Sequence, residues 1–396
     1  MADLQQTPSA NRTRIGFFGL RNAGKSSLVN AVAGQALSIV SDVKGTTTDP
    51  VKKSMELLPL GPVLLVDTPG LDDEGELGAM RAARALQELE RCDIAVLVAD
   101  GAEGLREQDR ELLTRLRTEN LPYLVACTKA DLLPEPRGVS DGATLFVSAA
   151  TGEGIPELKA RLAALGQSTG HEPKIIGDLL SPGDLVVLVT PMDGSAPKGR
   201  LILPQVQTMR DALDARAACL VTQPEQLPAM LSTLQAPPKL IVTDSQVFGT
   251  VKELVPVSVP LTSFSILMAR YKGVLGVCAA GAHRIAALQD GDSVLISEGC
   301  THHRQCQDIG TVKLPGWLRR FTGKELRFDF TSGGDFPRDL SPYALVVHCG
   351  GCMLGEREMR ARLRRTREQG VPFTNYGTAI AHMNGILDRS LEPFGL

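Results

Sequence analysis

The sequence predicts an α/β protein: a first domain built on a mostly parallel sheet, with two smaller α/β domains behind it. Three observations point there. Residues 14–165 alternate short apolar runs with helical patterns, the signature of a parallel sheet wrapped by helices. A glycine-rich turn, "GLRNAGKSS", Gly19 to Ser27, stands between the first apolar run and the first helical pattern. A second and third alternation follow a polar stretch, "GQSTGHEPK", at 166–174. A chain of 396 residues also suits two or three domains, at roughly 150 residues each.

Element by element, strands are predicted at Ile15–Gly19, Leu64–Asp67, Ile94–Ala99, Leu124–Thr128 and Leu145–Ser148 in the first domain, 14–166. In the second, 175–262, they are predicted at Leu185–Thr190, Ala218–Thr222, Leu240–Thr243 and Val255–Val259. Between these, Leu203, Val206, Met209 and Leu213 recur at helical spacing. The second domain carries no phosphate loop and no cluster of titratable groups, so packing or dimerisation is its expected role. The third, 263–396, opens with a helical stretch. Strands "DSVLIS", "ELRFDF" and "YALVVH" follow, then helical patterns near 355–369 and 376–388. No internal repeat of fixed period is visible. Residues 1–13 are polar, without a signal-peptide core, and read as a disordered tail.

Composition narrows the function classes. Hydrophobic content of 43% and charged content of 22% are ordinary for a globular protein. A net charge of −3 gives no global basic footprint for nucleic acid, and 4% aromatics offer few stacking platforms. The apolar runs fall short of the ~20 residues a membrane helix needs. A cytoplasmic protein with reduced cysteines is expected. Of the eight cysteines, Cys92, Cys127, Cys219 and Cys278 lie in apolar surroundings and read as small core residues.

The glycine-rich turn fits G-x-x-x-x-G-K-[ST], the P-loop. Gly19, Asn22, Ala23 and Gly24 would curl the backbone amides toward phosphate oxygens. Lys25 would neutralise the β and γ phosphates, and Ser26, followed by Ser27, would ligate Mg2+. "DTPG" closes a strand: Asp67 would hold Mg2+ through water, with Thr68, Pro69 and the Gly70 amide beside the γ phosphate. "GTTTDP" offers a switch-loop threonine for Mg2+, Thr47. "TKAD" places Asp131, behind Thr128 and Lys129, to accept two hydrogen bonds from guanine N1 and N2 donors. "SAATGEG" brings the amides of Ser148, Ala149 and Ala150 toward the guanine oxygen. Five motifs in this order resemble the translation-factor-like GTPases of the Era and TrmE branch, which implies binding of GTP and GDP. Two departures stand out. Thr128 replaces the usual asparagine and lacks its amide. Leu71 follows "DTPG" where a glutamine could orient water, so intrinsic hydrolysis is expected to be slow. In the TrmE branch a P-loop asparagine helps bind potassium. Asn22 holds that place, which implies K+-stimulated hydrolysis; a loop residue that merely tolerates an unusual backbone angle is the alternative.

The remaining cysteines form another pattern: Cys300-x-His302, then His348-Cys349-x-x-Cys352. Both halves follow predicted strands, and loops at the carboxyl edge of a parallel sheet converge to form sites. Gly350-Gly351 frees the backbone to wrap a bulky group. Thiolates are soft, so zinc and iron–sulfur clusters lead. Three cysteines and a histidine suit structural zinc; three cysteines alone suit a [4Fe–4S] cluster with one open iron. On the residues alone the two are balanced.

A GTPase followed by C-x-H…H-C-x-x-C resembles the HydF family of [FeFe]-hydrogenase maturation GTPases. "RYKG", "GDSVLISEGCTHH" and "DIGTVKLP" are similar to that family as well, so the likeness spans nearly the whole chain. It implies three domains (GTPase, dimerisation and cluster-binding), a homodimer, and a [4Fe–4S] cluster on Cys300, Cys349 and Cys352. It implies a scaffold that receives a diiron precursor built with the radical-SAM maturases HydE and HydG and delivers it to the [FeFe]-hydrogenase, with no membrane or nucleic-acid partner. His302, His303, His348 and Asp308 are candidates for the fourth iron position or for support around it, and Cys306 is an extra thiol nearby. The alternative is an Era/TrmE-like GTPase of RNA or ribosome maturation with structural zinc. On the arginine-rich stretch 355–369, Arg357, Arg360 and Arg364 would share one helix face, either solvated or a docking surface for an acidic partner or anionic cargo.

Overall fold

A computed structural model describes residues 11–34, 50–71, 75–133, 143–167, 174–192, 201–299 and 308–396. The chain divides into two compact units, 1–171 and 172–396.

The first unit is a six-stranded sheet in the order β2-β3-β1-β4-β5-β6. The strands are β1 (Thr13–Phe18), β2 (Val51–Leu57), β3 (Gly61–Asp67), β4 (Ile94–Asp100), β5 (Tyr123–Thr128) and β6 (Thr144–Phe146). Only β2, at the edge, runs antiparallel. Helices α1 (Lys25–Ala33), α2 (Gly75–Arg91), α3 (Glu107–Thr118) and α4 (Ile155–Gln167) cover it. Central strands buried on both faces need unbroken apolar sequence. β4, "IAVLVAD", supplies it, and Ile94 to Ala99 are fully buried. Ile15, Phe17, Val96 and Val98 pack one face with Leu28 and Leu158, while Phe18, Ala95 and Leu97 pack the other with Leu112 and Leu116.

The second unit holds two four-stranded sheets, both wholly parallel. One, β10-β9-β7-β8, is built from β7 (Leu185–Val189), β8 (Ala218–Thr222), β9 (Leu240–Thr243) and β10 (Leu261–Ser263). In chain order its strands are joined or followed by helices α5 (Leu203–Asp214), α6 (Leu227–Ser232), α7 (Phe248–Leu254), α8 (Phe264–Tyr271) and α9 (Leu275–His283). The other, β12-β11-β13-β14, is built from β11 (Ser293–Glu298), β12 (Arg327–Ser332), β13 (Leu345–His348) and β14 (Phe373–Asn375). Helices α10 (Leu314–Thr322), α11 (Glu356–Glu368), α12 (Tyr376–Met383) and α13 (Leu387–Leu391) accompany it. Val187, Ile241 and Leu261 of one sheet and Ile296, Val346 and Phe373 of the other belong to a single hydrophobic core.

These two sheets are copies of one plan, repeated without a fixed period. In each, the first strand pairs with the second and third, and the third with the fourth. The register matches as well: Val189, Thr243 and Ser263 lie abreast in one sheet, and Ser297, His348 and Asn375 in the other. The copies meet about a pseudo-two-fold axis. Thr262 Oγ1 donates to the Ser390 carbonyl at 3.0 Å, and Thr374 Oγ1 donates to the Cys278 carbonyl at 2.8 Å. Positions 262 and 374, and 278 and 390, are both 112 apart. The spacing between equivalent strand positions nevertheless drifts, 108 from Val189 to Ser297 and 105 from Thr243 to His348. Unequal loops therefore hide the repeat from a search at fixed period.

Three further expectations change. No strand forms at Val255–Val259; Val257 is 84% exposed there, and the strand is Leu261–Ser263. Pro256 and Pro260 lack the N–H that a ladder needs. On α5 only part of the apolar stripe faces the core: Met209 packs against it, while Val206 is 47% and Leu213 55% exposed and Gln205, Thr208 and Ala212 are buried. The inward side has polar work to do, since the Asp211 carboxylate accepts from the Ile175, Ile176 and Gly177 amides at 3.0, 2.8 and 2.6 Å. Cys92, Cys127 and Cys278 are buried, but Cys219 lies half-buried on edge strand β8. No helix among the described residues is long and apolar enough to cross a membrane.

Candidate nucleotide and metal sites

The P-loop runs from the end of β1 into α1. Gly19 has φ 151°, and a Cβ there would lie 2.1 Å from the Val98 carbonyl oxygen, so only glycine lets the loop cross β4. Lys25 is buried and folds back over the loop, donating to the Leu20 carbonyl at 2.7 Å and the Gly19 carbonyl at 3.1 Å. Ser26 Oγ donates to Asp67 Oδ2 at 2.5 Å. Among the described residues Asp67 Oδ1 is buried with no hydrogen-bond partner, and burial pushes the carboxyl above its usual range, against the lowering effects of Ser26 and Lys25. A hydroxyl and a carboxylate in contact, with one carboxylate oxygen orphaned, fit a hard divalent cation such as Mg2+.

Thr68 is buried, its hydroxyl donating to the Phe17 carbonyl at 2.6 Å, and Pro69 and Gly70 follow it out of the strand. The half-buried Leu71 packs against the Phe18 core. Asn22 is exposed with φ 60°, a left-handed backbone. Thr128 is 2% exposed, and its hydroxyl lies 2.7 Å from the Ala23 carbonyl and 3.1 Å from that of Ala99. A hydroxyl thus ties the base motif to the P-loop where an amide was expected to be missed. Lys129 pairs with Asp100 at 2.6 Å, and Asp131 stands exposed in the next turn. Ser148 is buried and accepts from the Thr151 amide at 3.1 Å, with Ala149 and Ala150 beyond it. Thr47 lies outside the described residues.

In the second unit, β11, β13 and β14 end abreast, so the loops after Glu298, His348 and Asn375 emerge along one edge. There the Gly299 amide donates to Cys349 Sγ at 3.0 Å and the Gly351 amide at 3.4 Å. Gly351 has φ 65°, and a Cβ there would meet Met359 Sδ at 2.9 Å. Two amides on one sulfur favour its thiolate, although burial pushes the Cys349 thiol up to about 11. Burial also raises Cys352, against the nearby Lys272 charge. Cys300, His302, His303 and Cys306 lie outside the described residues; Cys300 follows Gly299 directly. Among the described residues no group of three or more histidine, cysteine or acidic side chains forms a metal site.

His348 is fully buried, with both ring nitrogens engaged: Nδ1 lies 2.8 Å from the Cys349 carbonyl oxygen, and Nε2 lies 2.9 Å from Arg362 Nη1. Burial and the Arg362 charge push its pKa down to about 3, so the ring is neutral. The Asp308 carboxylate caps the next turn, accepting from the Thr311 amide at 2.8 Å and hydroxyl at 2.9 Å.

Three residues at this edge escaped the sequence analysis as individuals. Glu298, buried just before Gly299, accepts from Tyr376 Oη at 3.3 Å. Lys272, in "RYKG", is buried near Cys352. Arg362, 3% exposed, donates to Glu358 at 3.0 Å and the Gly333 carbonyl at 2.6 Å besides reaching His348. A glutamate four residues before an arginine was a legible pair. On the outer face, Arg360 pairs with Glu356, and Arg364 with Glu368 at 3.9 Å.

Comparison with known proteins adds the following. Residues 276–393 match the family description "Hydrogen maturase F tetramerization domain", and 175–273 match "Hydrogen maturase F dimerization domain". Residues 14–129 match "50S ribosome-binding GTPase". The chain is 38% identical over 164 residues to the tRNA modification GTPase MnmE of Nitrosomonas europaea, covering 40% of this chain and 35% of that one. It is 36% identical over 169 residues to GTPase Der of Solidesulfovibrio magneticus, covering 38% of each. The chain thus spans little more than a third of the length of these relatives. Among solved structures, Era in complex with MgGDPNP and part of 16S ribosomal RNA aligns at 16% identity and a TM-score of 0.34, over 90% of this chain and 98% of that one.

Proposed function

Because the chain belongs to the hydrogen maturase F family, with a GTPase domain at its N-terminal end, we propose that it is a GTP-hydrolysing carrier in [FeFe]-hydrogenase maturation. In this reading Cys300, Cys349 and Cys352 hold a [4Fe–4S] cluster, and the chain carries a diiron precursor from the radical-SAM maturases HydE and HydG to the apo-hydrogenase. The observation that supports it most is the Gly299 amide on Cys349 Sγ. This contact brings Gly299, the residue before Cys300 in the sequence, against the Cys349 sulfur. Such a cluster would supply an exchangeable iron corner. His348, engaged at both nitrogens, supports the loop and leaves the fourth position to His302, Asp308 or water.

In the GTPase domain, Ser26, Asp67 and Thr47 would hold Mg2+, and Lys25 would exchange its loop carbonyls for phosphate oxygens. Asp131 would select guanine. Asn22 would help hold K+ and speed a hydrolysis that Leu71 cannot assist. Val206 and Leu213 on α5 and Val221 on β8, exposed within the dimerisation-domain match, suit a contact between two copies.

Anaerobic reconstitution with iron and sulfide tests the cluster. The wild type should turn brown, bind about four irons per chain and give an electron paramagnetic resonance signal when reduced. Cys349→Ser should lose most of that signal. An unchanged signal in the variant, or a colourless protein holding one zinc, would sink the assignment; the latter would favour a structural-zinc GTPase.

A further inference from the structure

Arg362 is a buried charge, 3% exposed. It comes from α11, the helix after the cysteine loop, yet it points inward beneath that loop. The guanidinium lies 2.9 Å from His348 Nε2, donates to the Gly333 carbonyl at 2.6 Å and to Glu358 at 3.0 Å, and lies against the Phe336 ring. A guanidinium only donates, so His348 Nε2 must accept, and the ring proton sits on Nδ1. Nδ1–H then donates to the Cys349 carbonyl at 2.8 Å. In a trans peptide the following N–H points the opposite way, so this bond turns the Gly350 amide away from the buried histidine. The same loop places the Gly351 amide on Cys349 Sγ. One buried cation thus settles a tautomer, and the tautomer settles the loop.

We infer that Arg362 is a positioning residue: through His348 it holds the Cys349–Cys352 loop in the conformation that presents its thiols. For a cluster this rests on the function proposed above; the grip itself does not. Both are read on the full-length chain. In iron-free protein, alkylation of Cys349 by iodoacetamide, followed by peptide mapping, reports how often the loop opens. After reconstitution, loss of iron to a chelator and the resonance spectrum report the site.

His348→Gln keeps an acceptor for Arg362 and a donor for the Cys349 carbonyl; His348→Leu keeps neither. Arg362→Lys keeps the charge opposite Glu358 but not the planar fork. The Gln variant should match wild type in both assays. His348→Leu and Arg362→Lys should be alkylated about tenfold faster, the effect of losing one buried, charge-assisted hydrogen bond, and should release iron faster with an altered spectrum. Wild-type alkylation rates in both of these variants would overturn the inference. So would a Gln variant as reactive as the Leu one. If wild type binds no iron while the alkylation pattern holds, the cluster reading fails and the grip stands.

Discussion

Thr128 stands where an asparagine amide was expected, and its hydroxyl takes over the tie to the P-loop by donating to the Ala23 carbonyl. Thr128→Val keeps the shape and removes the bond. A buried hydrogen bond is worth about 1 kcal/mol, so GDP should bind about fivefold more weakly, measurable by titration calorimetry. At this scale the sequence was informative wherever a local motif carries the chemistry. Lys25 and Ser26 were legible from the turn between β1 and α1, and Asp67 from the "DTPG" that closes β3; Ser26 and Asp67, 41 residues apart, do meet. His348 was legible as a special residue but not in its role. Its partner, Arg362, is fourteen residues away on another element, and nothing in the intervening sequence announces the contact.

At the scale of elements, apolar periodicity located α5 without telling which of its apolar residues are covered. Of Leu203, Val206, Met209 and Leu213, Met209 packs against the core, Val206 and Leu213 are exposed, and the inward side also carries Asp211 with its three amides. Periodicity reports that a helix has an apolar side, not what covers it. Exposed apolar surface of this kind marks contact sites. In the proposed dimer, Leu213→Asp should shift the chain toward monomer in light scattering while leaving its circular dichroism unchanged; a dimer of undiminished stability would exclude α5 from the interface. Edge strand β8 lies where it was expected, at Ala218–Thr222, whereas the three-residue β14 was missed. A strand that short has no alternation to read, and its place comes from pairing with β13.

For the whole molecule, two compact units predict two unfolding events. Mg2+ with GDP binds only the first unit in the proposed reading. At a hundredfold excess over Kd it should stabilise that unit by about 2.7 kcal/mol and raise one calorimetric transition while the other stays in place. A single transition that moves as one would show the units to be thermodynamically coupled.

The sequence by itself determined the α/β class, the nucleotide motifs and the cysteine pattern. Each rests on spacing within a short segment, which local backbone geometry converts directly into structure. Only the tertiary structure decided that the last two sheets are a pseudo-symmetric pair sharing one core, that α5 leaves Val206 and Leu213 exposed, and that Arg362 grips His348. These depend on which distant segments meet, and packing selects those contacts over the whole chain at once.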